Sequence, residues 1–129
     1  MELRYKRLFT TAEKALKSGH THFAVVKDYA QNIAKIFSPG EITETYIFFP
    51  DPWEKPSERK NRLMQADFLK DLYEITQTGG KVYFKTDHRE YFDSSLTLLQ
   101  SQKLWDIVFI SYNFAQEEQF QKKHITEFE

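Results

Sequence analysis

Apolar positions along this chain change period several times, and each change marks an element. Over residues 3–17, Leu8, Ala12, Ala15 and Leu16 fall on one side, while Arg4, Lys6, Arg7, Glu13, Lys14 and Lys17 take most of the rest. That is the 3.6-residue period of a helix, and Gly19 stops it. His22-Phe23-Ala24-Val25-Val26 is an apolar run of strand length. Asp28, with Gln31 three positions on, reads as the N-cap of a second helix whose stripe is Tyr29, Ile33, Ile36 and Phe37 and which ends at Pro39-Gly40. Thr45-Tyr46-Ile47-Phe48-Phe49 is β-branched and aromatic throughout, the pattern of a strand covered on both faces, and it stops at Pro50.

Beyond a charged segment at 54–61, Met64, Phe68, Leu72 and Ile75 predict a third helix closed by Gly79-Gly80. Val82-Tyr83-Phe84 predicts another buried strand, Asp87 with Glu90 a capping box, and Phe92, Leu96 and Leu99 a fourth helix. Residues 105–112 predict a late strand, 116–121 a loop or hairpin, and His124-Ile125-Thr126-Glu127-Phe128-Glu129 an edge strand. Strands alternating with helices predict an α/β fold, a mostly parallel sheet with helices on both faces, in one domain over residues 1–129.

Composition narrows the possibilities. A chain of 129 residues with 40% hydrophobic and 29% charged positions supports one globular core and excludes a mainly disordered state. Eighteen Lys and Arg against 19 Asp and Glu leave no general basic character, so any nucleic-acid contact requires a local patch. The absence of cysteine excludes disulfides, thiol nucleophiles, iron–sulfur clusters and cysteine-ligated zinc. His20, His22, His88 and His124 lack metal-ligand spacing and read as surface or capping residues, so no metal is expected. The apolar runs fall far short of the roughly 20 residues of a membrane span. No signal-peptide centre follows Met1, and a cytoplasmic protein without a membrane partner is expected.

In parallel sheets ligands sit beyond the carboxyl ends of the strands, which is where Asp28, Asp51 and Asp87 fall. Capping accounts equally well for Asp28 and Asp87. Asp51 differs, because Pro50 and Pro52 fix two backbone angles around it and push it into extended conformation. Trp53 beside it offers a flat face for a base or adenine; the competing account is an Asp-Pro turn next to a core Trp. Lys55, Arg59, Lys60 and Arg62, set against Glu58, form either a phosphate-contacting patch or a solvated loop. Trp105, Phe109 and Tyr112 read as core.

With Phe49-Pro50-Asp51-Pro52-Trp53 followed by Lys55, Lys60, Arg62 and Leu63, the chain resembles the tRNA (guanine-N7-)-methyltransferase family, whose hallmark is an FPDPW segment leading into a basic run. The resemblance continues through Gly79-Gly80, Lys85-Thr86-Asp87 and the closing Thr126-Glu127-Phe128-Glu129, which is similar to that family's T-x-[FY]-E element. It implies a Rossmann-like class I methyltransferase sheet, partial here, because the family's first strand and glycine-rich turn precede the position matching Glu2. It also implies S-adenosylmethionine (SAM) as cofactor, tRNA as partner, and methyl transfer to N7 of guanosine 46 in the variable loop. Glu2 matches the acidic residue that holds the SAM ribose, Asp28 the residue beside the adenine, and Asp51 the carboxylate near the methyl donor, with cofactor-binding and catalytic roles. Lys55, Asp87, Thr126, Glu127, Phe128 and Glu129 match substrate-binding positions, and Arg59, Lys60 and Arg62 form the RNA patch.

Two departures accompany the match. Ser57-Glu58 and Lys60-Asn61-Arg62 stand where the family usually has Arg-His and Lys-Arg-Arg, which thins the RNA-facing charge. A missing first strand would open the middle of the sheet, so the remaining strands re-pair or a second chain, as in a homodimer, fills the gap. The alternative is a non-catalytic RNA-binding or interaction remnant that does not bind SAM alone.

Overall fold

A computed structural model describes residues 5–19, 24–112 and 126–128. Its contacts divide the chain into two compact units, residues 1–33 and residues 34–129.

In the first unit, α1 spans Tyr5–Lys17 and ends in hydrogen bonds from the Ser18 and Gly19 amides to the Lys14 and Leu16 carbonyls. Gly19 takes φ +75°, as the sequence predicts for the residue that stops a helix. The expected stripe is not a buried one: Ala12 and Ala15 are half-buried, but Leu16 is 73% exposed. The strand expected at 22–26 does not form over its described residues, 24–26. Residues 24–27 pair with no strand among the described residues, and 22 and 23 lie outside them. A short apolar run becomes a strand only where a neighbour offers a ladder, since β-propensity largely measures packing against that neighbour. Asp28 is followed by a 3-10 turn, Ala30–Asn32, and one helical turn, α2, at Ile33–Ile36, in place of the longer helix its stripe predicts.

The second unit carries a four-stranded sheet in the order β1-β2-β4-β3, with β1 at Ile42–Phe48, β2 at Thr76–Lys85, β3 at Ile107–Ile110 and β4 at Thr126–Phe128. β1 and β2 are parallel, and β4 runs antiparallel to both β2 and β3. Three strands therefore point one way, as the alternation predicts. The C-terminal strand, expected at an edge, instead lies inside the sheet, where both of its sides are hydrogen-bonded. The edges are β3 and β1, and β1, expected to be covered on both faces, is not: Ile47 is buried, but Tyr46 and Phe48 are exposed. Tyr46 stacks on Tyr83 of β2 at 4.8 Å, so its ring is supported from the neighbouring strand without being enclosed.

Helix α3, Ala66–Ile75, buries Phe68, Leu72 and Ile75 as predicted, and Met64 just before it is buried too. Gly79 and Gly80 do not close this helix. They lie within β2, where the register against β1 slips between Thr76 and Lys81. Gly79 adopts φ +82°, and a Cβ on Gly80 would stand 2.9 Å from the Thr43 carbonyl oxygen, so the bulge requires both glycines. Helix α4, Arg89–Gln102, presents Tyr91, Phe92 and Leu99 to the core, where Phe84 of β2 lies against Tyr91 and Phe92 at 5.7 and 6.3 Å. The late strand is shorter than expected because Trp105 is buried ahead of it, edge-on to Tyr73 at 5.5 Å. No helix among the described residues is long and apolar enough to cross a membrane.

Candidate active site

β1 and β2 run parallel with Phe48 opposite Lys85, so the loops that follow them leave the sheet at the same rim. Asp51 lies on the first loop and Asp87 on the second, and both are exposed. The strand-end rule thus places two of the three predicted carboxylates together.

The Asp51 loop is held in an unusual shape. Phe49 has φ 52° and Trp53 has φ 44°, both in the left-handed region that bulky side chains avoid. Such backbone persists only where its surroundings over-determine it. At the near end the Phe49 amide donates to the Lys85 carbonyl at 2.8 Å, continuing the β1–β2 ladder, and the Lys85 ammonium sits 5.5 Å from the Phe49 ring. At the far end the Arg62 Nε donates to the Pro52 carbonyl at 2.6 Å. Asp51 is therefore presented between two aromatic residues on a segment pinned at both ends.

Asp87 is positioned differently. The capping box expected with Glu90 does not form: His88 is the N-cap of α4, and its Nδ1 accepts from the Tyr91 amide at 3.1 Å. Buried Thr86 accepts from the His88 amide at 3.2 Å, which turns the chain so that Asp87 faces solvent. Capping thus explains His88, as the sequence reading of the histidines allows, and leaves the Asp87 carboxylate on the rim. The His88 Nε2 also faces Glu54 at 3.5 Å, a further link between the two loops.

Of the expected RNA patch, Lys55, Arg59 and Lys60 are exposed on or beside a 3-10 turn at Pro56–Asn61. Arg62 does not belong with them. It is 4% exposed, and its guanidinium donates to Pro52, to Ser94 Oγ at 3.3 Å and to Glu90, while lying 4.7 Å from the Tyr91 ring centre. A guanidinium has five donors in a rigid fork, and here the protein itself takes up that fork. Arg59 shares Glu90 at 3.6 Å. The hydrogen bond from Arg62 holds the Glu90 carboxyl below the usual glutamate range. Burial pushes the Tyr91 phenol above its ordinary value, and the nearby Asp51 charge adds to that.

Asp28, in the first unit, keeps one carboxylate oxygen on the Tyr29 amide at 2.7 Å and the Asn32 side chain at 2.8 Å, but the N-cap of the 3-10 turn is Tyr29, so the capping expected of Asp28 is replaced by a bond to the N-cap amide and to the end of the turn. Glu2 and Glu129 lie outside the described residues, as does the loop expected at 116–121. Of Thr126, Glu127 and Phe128 the described feature is their backbone in β4, beside β2. Among the described residues no group of three acidic or histidine side chains could hold a metal ion.

Parallel strands β1 and β2, followed by loops that carry the exposed Asp51 and Asp87 on one rim, fit a Rossmann-like α/β protein. A family model described as "Putative methyltransferase" matches residues 1–129, and the chain belongs to that family. It is similar to a tRNA (guanine-N(7)-)-methyltransferase of Cytophaga hutchinsonii, 36% identical over 84% of this chain and 50% of the relative. A protein of the same name from Bacillus licheniformis is 30% identical over the whole chain and 60% of its own length. A bifunctional glycosyltransferase/methyltransferase of Fusobacterium nucleatum is 33% identical over the whole chain and 20% of its own length. The chain thus spans between a fifth and three fifths of these relatives.

Proposed function

We propose that this protein transfers a methyl group from SAM to N7 of a guanosine in tRNA, the variable-loop position 46 being the expected site. One observation carries the reading: Asp51 is exposed on a strained, doubly pinned loop between Phe49 and Trp53, on the same rim as Asp87. An exposed carboxylate with aromatic residues two positions to either side suits a ligand that is both cationic and heteroaromatic, as SAM is. Asp51 would hold it, and when bound it supplies an electrophilic methyl group.

Guanine N7 carries an in-plane lone pair and no proton, so the chain need not supply a general base before transfer. Its work is alignment, and correct placement of two reactants can contribute several kcal/mol. The N1–H and exocyclic amine of guanine are donors, while N7 lies on another edge. Asp51 and Asp87 accept from those donors and leave N7 clear, assisted by Thr126, Glu127, Phe128 and Glu129. Lys55, Arg59 and Lys60 contact backbone phosphates. The test is incubation with SAM and unmodified tRNA, followed by mapping of N7-methylguanosine. A modified guanosine at position 46 is expected. Methylation of a different base would contradict the reading, and tRNA binding without methylation would favour the non-catalytic remnant.

A further inference from the structure

We propose that Arg62 is a positioning residue for Asp51, the tie that keeps the Pro50-Asp51-Pro52 segment in its strained shape, and not an RNA contact. The inference deepens the methyltransferase reading and rests on it for the role of Asp51. Three observations carry it. Arg62 is buried, whereas Arg59 and Lys60 of the same basic run are exposed. Its donors are spread over two elements: one reaches the Pro52 carbonyl, next to Asp51, and the others reach Glu90 and Ser94 on α4. The residue following that carbonyl is Trp53 at φ 44°, a conformation disfavoured for a bulky side chain unless something outside the loop holds it.

The fork geometry accounts for the residue type. Lysine offers a compact ammonium that cannot serve three acceptors in the plane of a guanidinium, so a cation alone is not sufficient. Tyr91 supplies the ring face under the guanidinium, and its own oxygen accepts from the Met64 amide at 3.1 Å, which fixes the stretch of chain just after Arg62. Helix α4 is thereby the anchor and the Asp51 loop the part that is held.

The experiment has two readouts on the full chain. The protein has two tryptophans, Trp53 on the loop and Trp105 in the core, so 5-fluorotryptophan labelling gives two fluorine NMR signals, assigned with Trp53→Phe. Arg62→Met is expected to move or broaden the Trp53 signal while the Trp105 signal stays. Glu90→Gln, on a half-buried partner, is expected to move the same signal by less, and it decides the matter if Arg62→Met fails to fold. A Trp53 signal that stays put, or one that moves only together with Trp105, overturns the proposal. In methyl transfer, Arg62→Met and Arg62→Lys are both expected to lower kcat about 10- to 100-fold, the scale on which small misplacements act. KM for tRNA is expected to stay within about twofold. Recovery by Arg62→Lys, or a loss confined to KM, assigns Arg62 to RNA and overturns it. Failure of the wild-type chain to methylate tRNA would contradict the functional reading instead, and the fluorine signals would still decide the role of Arg62.

Discussion

Asp51 and Arg62 stand eleven positions apart in one charged stretch, yet the fold uses them oppositely. One is exposed on the rim of the sheet and the other is spent on the protein. The prolines around Asp51 made its constraint legible from sequence, whereas the burial of Arg62 depends on Glu90, Ser94 and Tyr91, roughly thirty positions away, and no local pattern announces it. The same limit explains the cap of α4: Asp87 and Glu90 have capping-box spacing, but Glu90 is drawn to Arg62 and His88 takes the Tyr91 amide. A pH dependence follows. The Glu90 carboxyl is lowered in the folded chain, so the unfolded chain binds its proton first on acidification. Its contribution is complete above the ordinary glutamate value, about 4.3, and is lost as pH falls through the lowered folded value. Unfolding measured along the acid limb is expected to show this loss in the wild type and to show less of it in Glu90→Gln.

Among elements, β2 and α3 supply half of the buried apolar core of the described residues, and apolar spacing predicts the buried stripe of α3 and the Val82-Tyr83-Phe84 run of β2. Leu72 is 1% exposed, so Leu72→Ala is expected to cost about 2–5 kcal/mol in denaturant unfolding. The paired glycines were read as a helix stop because Gly-Gly after a helical stripe is locally indistinguishable from a bulge that begins a strand. Only the register against β1 separates the two. Gly80→Ala would bring a Cβ to 2.8 Å from the Gln77 carbonyl oxygen and is expected to lower stability by about 1–3 kcal/mol, read as a fall in Tm. At Gly79 nothing lies within 4 Å, so Gly79→Ala is expected to act through its positive φ alone, costing about 1–2 kcal/mol.

At the scale of the molecule, the alternation of elements predicts an α/β fold with a mostly parallel sheet, while strand order was beyond it. The terminal segment looks like an edge strand because it is short and polar on both sides, and its place between β2 and β3 is set by pairing across some forty residues of sequence. The exposed basic surface at 55–62 is thinner than the count of basic residues suggests, since Arg62 is buried and Arg59 shares Glu90. With Lys55, Arg59 and Lys60 as the contacts, log affinity for tRNA is expected to fall with log salt at a slope of about −2 to −3, and Lys60→Ala to flatten it by just under one. The most direct test of the whole account is methyl transfer to tRNA by Asp51→Asn beside the wild type, with S-adenosylhomocysteine and tRNA affinities measured on both. Loss of a charge-assisted hydrogen bond of about 1.5–3 kcal/mol predicts turnover about 10- to 100-fold lower in the variant, on a chain that still folds and still binds tRNA. Turnover equal to the wild type would contradict the assignment of Asp51 as the group that aligns the substrate.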